Sequence, residues 1–138
     1  MKKILIVDDE ENILLLLRKD LKTNNVEVIT TTKIEEAEYA LKNTFFDLVI
    51  TDIRLNGVLG RDGLDLLEYI QEKSPGTEVI IMTAYGSKEI EREAYEKGAY
   101  FYFEKPIDIK VLNDHLRRLG IFNQYVKTNK ITTGVKEG

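Results

Sequence analysis

Five short apolar runs alternate with stretches of helical periodicity along the first 119 residues. The most constraining of them lies within Phe46-Asp-Leu-Val-Ile-Thr-Asp52-Ile-Arg-Leu55. Its core, Leu48-Val49-Ile50, is an uninterrupted apolar run bounded by polar residues. That pattern fits a strand covered on both faces, as in a parallel sheet. Such a strand delivers Asp52 at its C-terminal end, where open α/β sheets place their ligands.

Taken in order, Lys3 to Val7 reads as the first strand. Asn12 to Leu21 follows as an amphipathic helix with Ile13, Leu14, Leu16, Leu17 and Leu21 on its apolar side, ended by Asn24-Asn25. Val26 to Ile29 is the second strand. Thr32 with Glu35 three residues on forms a capping-box pattern. The helix it opens buries Ile34, Ala37, Ala40 and Leu41, and Asn43-Thr44 breaks it. After the Asp47–Thr51 strand comes Arg54-Leu-Asn-Gly-Val-Leu-Gly-Arg-Asp-Gly63, with three glycines in ten residues, hence a loop. A helix from Gly63 to Lys73 carries Leu64, Leu67 and Ile70, and Ser74-Pro75-Gly76 stops it. Glu78 to Thr83 is the fourth strand. Ser87 caps a helix that reaches Lys97, with Gly98 at the C′ position. That helix is acidic, with only Ile90, Ala94 and Tyr95 on its apolar side, so it is expected to be weakly anchored. Ala99 to Phe103 is an aromatic fifth strand. Lys105-Pro106 precedes a last helix carrying Ile109, Leu112, Leu116 and Leu119. Five strands alternating with five helices imply right-handed crossovers and a parallel sheet with helices on both faces.

Charge and composition narrow the function. Residues 1–118 carry 17 Lys and Arg against 23 Asp and Glu, so the body is acidic. It would repel a phosphate backbone, and direct nucleic-acid binding by it is not expected. With no cysteine there is no disulfide framework, thiolate metal site or thiol nucleophile. Met1 to Val7 opens like a signal peptide, but Asp8, Asp9, Glu10 and Glu11 end the apolar run too early. No apolar stretch reaches the roughly 20 residues a membrane span needs. The expected location is the cytoplasm, with no membrane partner. Residues 120–138 read as a polar tail or a truncated linker.

Each strand leaves a polar group at its C-terminal end: Asp8 and Asp9 after the first, Asp52 after the third, Thr83 after the fourth, Lys105 after the fifth. In a parallel sheet these ends share one edge. Converging carboxylates raise one another's pKa unless a cation compensates. Mg²⁺ favours a few carboxylates together with water and phosphate oxygens. A lysine and a hydroxyl at the same edge suit an anionic ligand. These are the parts of a phosphoryl-transfer site with an aspartate nucleophile.

Four motifs, Ile-Val-Asp8-Asp9-Glu10, Asp52 after its strand, Met82-Thr83-Ala84 and Glu104-Lys105-Pro106, stand in order on matching elements. Together they resemble the receiver domain of a two-component response regulator over residues 1–119. Met82-Thr-Ala-Tyr-Gly-Ser87 further resembles the receivers of enhancer-binding activators. The resemblance implies a flavodoxin-like, doubly wound (βα)5 fold with strand order 2-1-3-4-5. It implies Asp52 as phospho-acceptor, and Mg²⁺ held by Asp8, Asp9, Asp52 and the backbone carbonyl of Arg54. Lys105 would pair with the phosphoryl group. Thr83 would bond a phosphoryl oxygen and act as the switch, with Tyr102 as the switch aromatic. Arg54 and Tyr85 match positions that tune dephosphorylation. The implied partners are a sensor histidine kinase or phosphotransfer protein, an output domain or target reached through residues 87–119, and a second copy in a homodimer. One departure stands out. The family usually has a proline four residues after the acceptor and a glycine eight after it. Here those features are Asn56 and the later Asp62-Gly63, so the loop is expected to be about three residues longer.

Two other readings share these residues. An aspartate-nucleophile phosphohydrolase would want an acid/base two residues beyond the nucleophile, where Arg54 stands and cannot serve. A degenerate receiver, acting only as an interaction module, would need the acceptor or metal acids to be lost. Taken singly, the bland assignments hold: Asp8 and Asp9 as acids near a helix N-terminus, Thr83 as a strand-end hydroxyl, Lys105 as a solvated lysine, Tyr102 as strand packing, and the lone His115 as a surface residue of the last helix.

Overall fold

A computed structural model describes residues 1–22, 25–55 and 62–122. The elements alternate as expected: β1 (Lys2–Val7), α1 (Glu11–Lys22), β2 (Val26–Thr31), α2 (Ile34–Asn43), β3 (Leu48–Asp52), α3 (Asp62–Lys73), β4 (Glu78–Thr83), α4 (Lys88–Glu96), β5 (Phe101–Glu104) and α5 (Ile109–Arg118). All strand pairs are parallel and the sheet order is β2-β1-β3-β4-β5. The chain falls into two compact units, Met1–Ile107 and Asp108 onward.

In the first unit the strand runs are buried on both faces, which is why they read as continuous apolar runs rather than alternating ones. Leu5, Val7, Val49, Val79 and Ile81 share one core with Ala37 of α2, Leu64, Leu67 and Ile70 of α3, Ala94 of α4, and Tyr102. Ile4, Ile6, Leu48, Ile50, Ile80 and Met82 alternate onto the other face and are fully buried too. At roughly 2 kcal/mol for each large side chain removed from water, this sheet is the main source of the fold's stability.

The helix boundaries follow local chemistry. Ser87 accepts a hydrogen bond from the Ile90 N–H at 3.1 Å and caps α4, as its position predicts. Gly98 follows the C-cap Lys97 with φ at +105°, a conformation glycine adopts freely. Two expectations are corrected. Thr32 does not cap α2: the N-cap position is Lys33, without a side-chain cap. β2 runs two residues further than its apolar run, so it is Thr31 whose hydroxyl accepts from the Lys33 N–H, at 3.2 Å, and bonds Glu36. On α1, Leu14, Leu17 and Leu21 are buried, but Leu16 is 52% exposed. The buried positions follow the i, i+3, i+7 stripe, and Leu16 lies off it.

The second unit holds α5. Asp108 caps it by accepting from the Lys110 and Val111 N–H groups at 3.0 and 3.2 Å. His115 is buried, not at the surface as its sequence context suggests. Most of the anticipated tail, along with Asn56 and the glycine-rich part of the β3–α3 loop, lies outside the described residues.

Candidate functional site: an acidic cleft at the strand ends

The sheet order places β1 beside β3, with the chain winding away from them in opposite directions. This is the switch point at which open α/β sheets leave a crevice. Asp8 follows β1 and Asp52 ends β3, so the topology itself puts two carboxylates there. One oxygen from each of Asp8, Asp9 and Asp52 fits within a 4.8 Å cluster. Asp8 and Asp52 are buried, and Asp9 is exposed. A cleft of about 220 Å³ opens above them, lined by Asp9, Glu10, Asp52, Arg54, Ala84, Tyr85 and Lys105.

Lys105 enters from the end of β5, and a cis peptide bond joins it to Pro106. Its Nζ lies 2.9 Å from Asp52 Oδ2, 2.8 Å from Asp8 Oδ2 and 2.7 Å from Glu10 Oε1. Burial alone would lower the lysine's pKa. The three carboxylates of Asp8, Glu10 and Asp52 around it outweigh that and hold the ammonium well above its ordinary value. For Asp8, burial dominates and raises the carboxyl above its usual 3.8. Lys105 and the Glu10 N–H oppose that rise, and the Asp52 charge adds to it. Asp8 Oδ1 accepts from the Glu10 N–H at 2.8 Å. Its Oδ2 is buried beside Lys105 without an aligned hydrogen bond. A buried, incompletely bonded carboxylate oxygen next to two further carboxylates is the donor set a hard divalent cation takes. The residues therefore fit Mg²⁺.

Around the acids, Asp52 Oδ1 accepts from the Arg54 N–H at 3.3 Å. The Arg54 guanidinium stacks over the Tyr85 ring, 4.8 Å from its centroid, so the two residues suspected of rate tuning form one cation–π pair at the cleft. Thr83 is fully buried at the end of β4 and does not line the cleft. Its Oγ1 accepts from the Tyr85 N–H at 3.2 Å, and its carbonyl accepts from the Lys105 N–H at 2.9 Å. Tyr102 pairs with Ile81 in the sheet register, so it shares a face with Thr83 but also stands outside the cleft. Its backbone N–H is taken by the Tyr95 hydroxyl at 3.1 Å.

Two residues gain a role that the motifs left open. Glu10 reaches Lys105 directly; its position after two aspartates at a strand end was the available signal. Gly63 donates to the Ile53 carbonyl at 2.9 Å, and a Cβ there would stand 2.0 Å from the Asp52 carbonyl oxygen. Glycine is thus demanded by close approach to the acceptor strand, however many residues the loop holds before it.

The family model for the response regulator receiver domain matches residues 4–117. The chain belongs to the response regulator receiver family. Among curated relatives, this receiver is 38% identical over 113 residues to the response regulator protein PilR of Pseudomonas aeruginosa, covering 82% of this chain and 25% of that one. It is 32% identical over 117 residues to sporulation initiation phosphotransferase F of Bacillus subtilis, covering 85% and 92%. The chain spans about a quarter of the length of PilR and 92% of the length of phosphotransferase F. Among solved structures, the beryllofluoride-activated NtrC4 receiver domain dimer aligns with a TM-score of 0.79 at 32% identity, over 86% of this chain and 96% of that one. No helix among the described residues is long and apolar enough to cross a membrane.

Proposed function

We propose that this receiver domain is a phosphorylation-controlled switch that accepts a phosphoryl group on Asp52 from a phosphohistidine. The donor would be a sensor histidine kinase or a phosphotransfer protein. The observation that carries this reading is the convergence of three carboxylates within 4.8 Å with Lys105 at 2.9 Å from Asp52. Among the acids that line the cleft Asp52 is the buried one, with one oxygen on Lys105 and the other on the Arg54 N–H.

In the transfer, a carboxylate oxygen of Asp52 attacks phosphorus, and the bond from phosphorus to the donor nitrogen breaks. The electron pair and the donor imidazole leave together. Lys105 neutralises the phosphoryl oxygens that arrive, exchanging carboxylate partners for phosphoryl ones. Asp8, Asp9, Asp52 and the Arg54 carbonyl would hold Mg²⁺, which when bound would supply charge neutralisation for the phosphoryl group. Thr83 offers its hydroxyl to a phosphoryl oxygen, giving up the Tyr85 N–H, and Tyr102 responds on the same sheet face. The Arg54–Tyr85 pair shields the acyl phosphate from water and so tunes its lifetime. Ala84, small at the cleft wall, leaves room for the group. The output is read at the surface of α4 and β5, by an attached domain, a separate target or a second copy. The reading places the protein in the cytoplasm.

The test is uptake of phosphate from acetyl phosphate with Mg²⁺. The native chain should gain one phosphoryl group, and Asp52→Asn none. Uptake by Asp52→Asn at the native rate would contradict the assignment. Sustained turnover of simple phosphate esters would instead favour a phosphohydrolase.

A further inference from the structure

Gly86 lies between Thr83 and the start of α4, and its φ falls outside the left-handed range. Nothing in its backbone conformation demands glycine. The demand comes from Tyr102. A Cβ at Gly86 would stand 1.7 Å from the Tyr102 hydroxyl oxygen, 3.0 Å from Cζ and 2.8 Å from Glu104 Oε2. Real side chains do not approach so closely, so something would have to move.

Tyr102 is 6% exposed, and its hydroxyl is buried with no aligned hydrogen-bond partner. Its main chain is fixed from two sides, by pairing with β4 and by the Tyr95 hydroxyl. The ring therefore keeps its place more by fit than by bonding of its tip, and the surface it fits is the bare α-carbon of Gly86. A shifted backbone at residue 102 would break a sheet pairing, whereas rotation of the side chain gives up only the weak contact of its hydroxyl with the Ser87 backbone.

We propose that Gly86 is the positioning residue of Tyr102: the missing side chain is the seat of the inward tyrosine, and any larger residue three positions after Thr83 turns Tyr102 outward. The functional consequence rests on the proposed switch. A side chain at position 86 would separate the aromatic from Thr83 while leaving every group of the acidic cleft in place.

The test compares the native chain, Gly86→Ala, and Gly86→Ala combined with Tyr102→Leu. Tyrosines are modified with tetranitromethane and mapped by mass spectrometry. Tyr39 and Tyr85, 71% and 70% exposed, serve as internal standards. In the native chain Tyr102 should react at least about tenfold more slowly than Tyr39. In Gly86→Ala its rate should rise to within about threefold of Tyr39. Thermal unfolding adds a second readout. At a permitted φ, glycine to alanine stabilises by restricting the unfolded chain. Gly86→Ala should nevertheless lower Tm in the native background and raise it when residue 102 is leucine. A single variant that fails to fold, rescued by Tyr102→Leu, supports the proposal equally. Unchanged protection of Tyr102 in Gly86→Ala, or the same loss of Tm in both backgrounds, would overturn it. Neither readout involves phosphate, so a failed acceptor assignment at Asp52 and a failed seat at Gly86 are told apart.

Discussion

Lys105 and Tyr102 stand three residues apart at the end of one strand, and they are held by opposite means. The lysine's ammonium has three carboxylate oxygens within 2.9 Å. The tyrosine's hydroxyl has no aligned partner and rests against a glycine. The acidic edge is positioned by charge, whose energy in a partly buried site changes by several kcal/mol when a partner is added or lost. The aromatic edge is positioned by shape, where one methyl group decides the fit. In a switch the first kind of site can sense a phosphoryl group. The second can change surface with little bond breaking.

Removing Lys105 should break this comparison hardest. Lys105→Met leaves Asp8 and Asp52 buried without their counter-charge and should cost about 4 kcal/mol in urea unfolding. A loss under about 1 kcal/mol would mean that the cluster is not charge-held.

Asp8→Asn should act with the opposite sign. The folded state raises the Asp8 carboxyl above its usual 3.8, chiefly by burial. Ionised Asp8 therefore penalises the fold above its folded pKa, and the penalty fades as pH falls through that value towards 3.8. The variant should be more stable than the native chain at neutral pH, and the difference should close on acidification. A gap independent of pH would assign the effect to packing instead.

The smallest effect is expected at the aromatic edge. Tyr95→Phe removes the acceptor for the Tyr102 N–H at a site that water can reach, and should cost about 0.5 kcal/mol. Hydrogen exchange at Tyr102 should accelerate in this variant, while exchange within β1 and β3 stays unchanged. Equal acceleration in both regions would mean that the two edges are not separate.

Much of this was legible in the chain. Leu48-Val49-Ile50 and its counterparts are buried on both faces, so a continuous apolar run spoke for strands in a parallel sheet. Once the strands were placed, the shared edge followed, and with it Asp8, Asp9, Asp52 and Lys105. What escaped depends on distances between elements. Leu16 has the same chemistry as Leu17, and only the helix's angular setting separates them. Thr31 and Thr32 are equal as capping residues until the end of β2 is known. Glu10 shows its link to Lys105 only when β5 is threaded beside β4. Gly86 stood in the Met82–Ser87 motif without a physical reason, since its need for glycine arises from a tyrosine sixteen residues later. Gly63 was legible as a motif displaced by about three residues, and its closeness to the Asp52 carbonyl supplies the physical reason for it.

The central claim is that Asp52 is where the strand ends direct a phosphoryl group. Reductive trapping of the acyl phosphate tests it directly. The native chain is treated with acetyl phosphate and Mg²⁺, reduced with borohydride, digested and mapped. Asp52 should be converted to homoserine, dependent on Mg²⁺ and abolished in Lys105→Met. Label on Asp8 or Asp9 in place of Asp52, or labelling of Asp52 indifferent to both Mg²⁺ and Lys105, would contradict it.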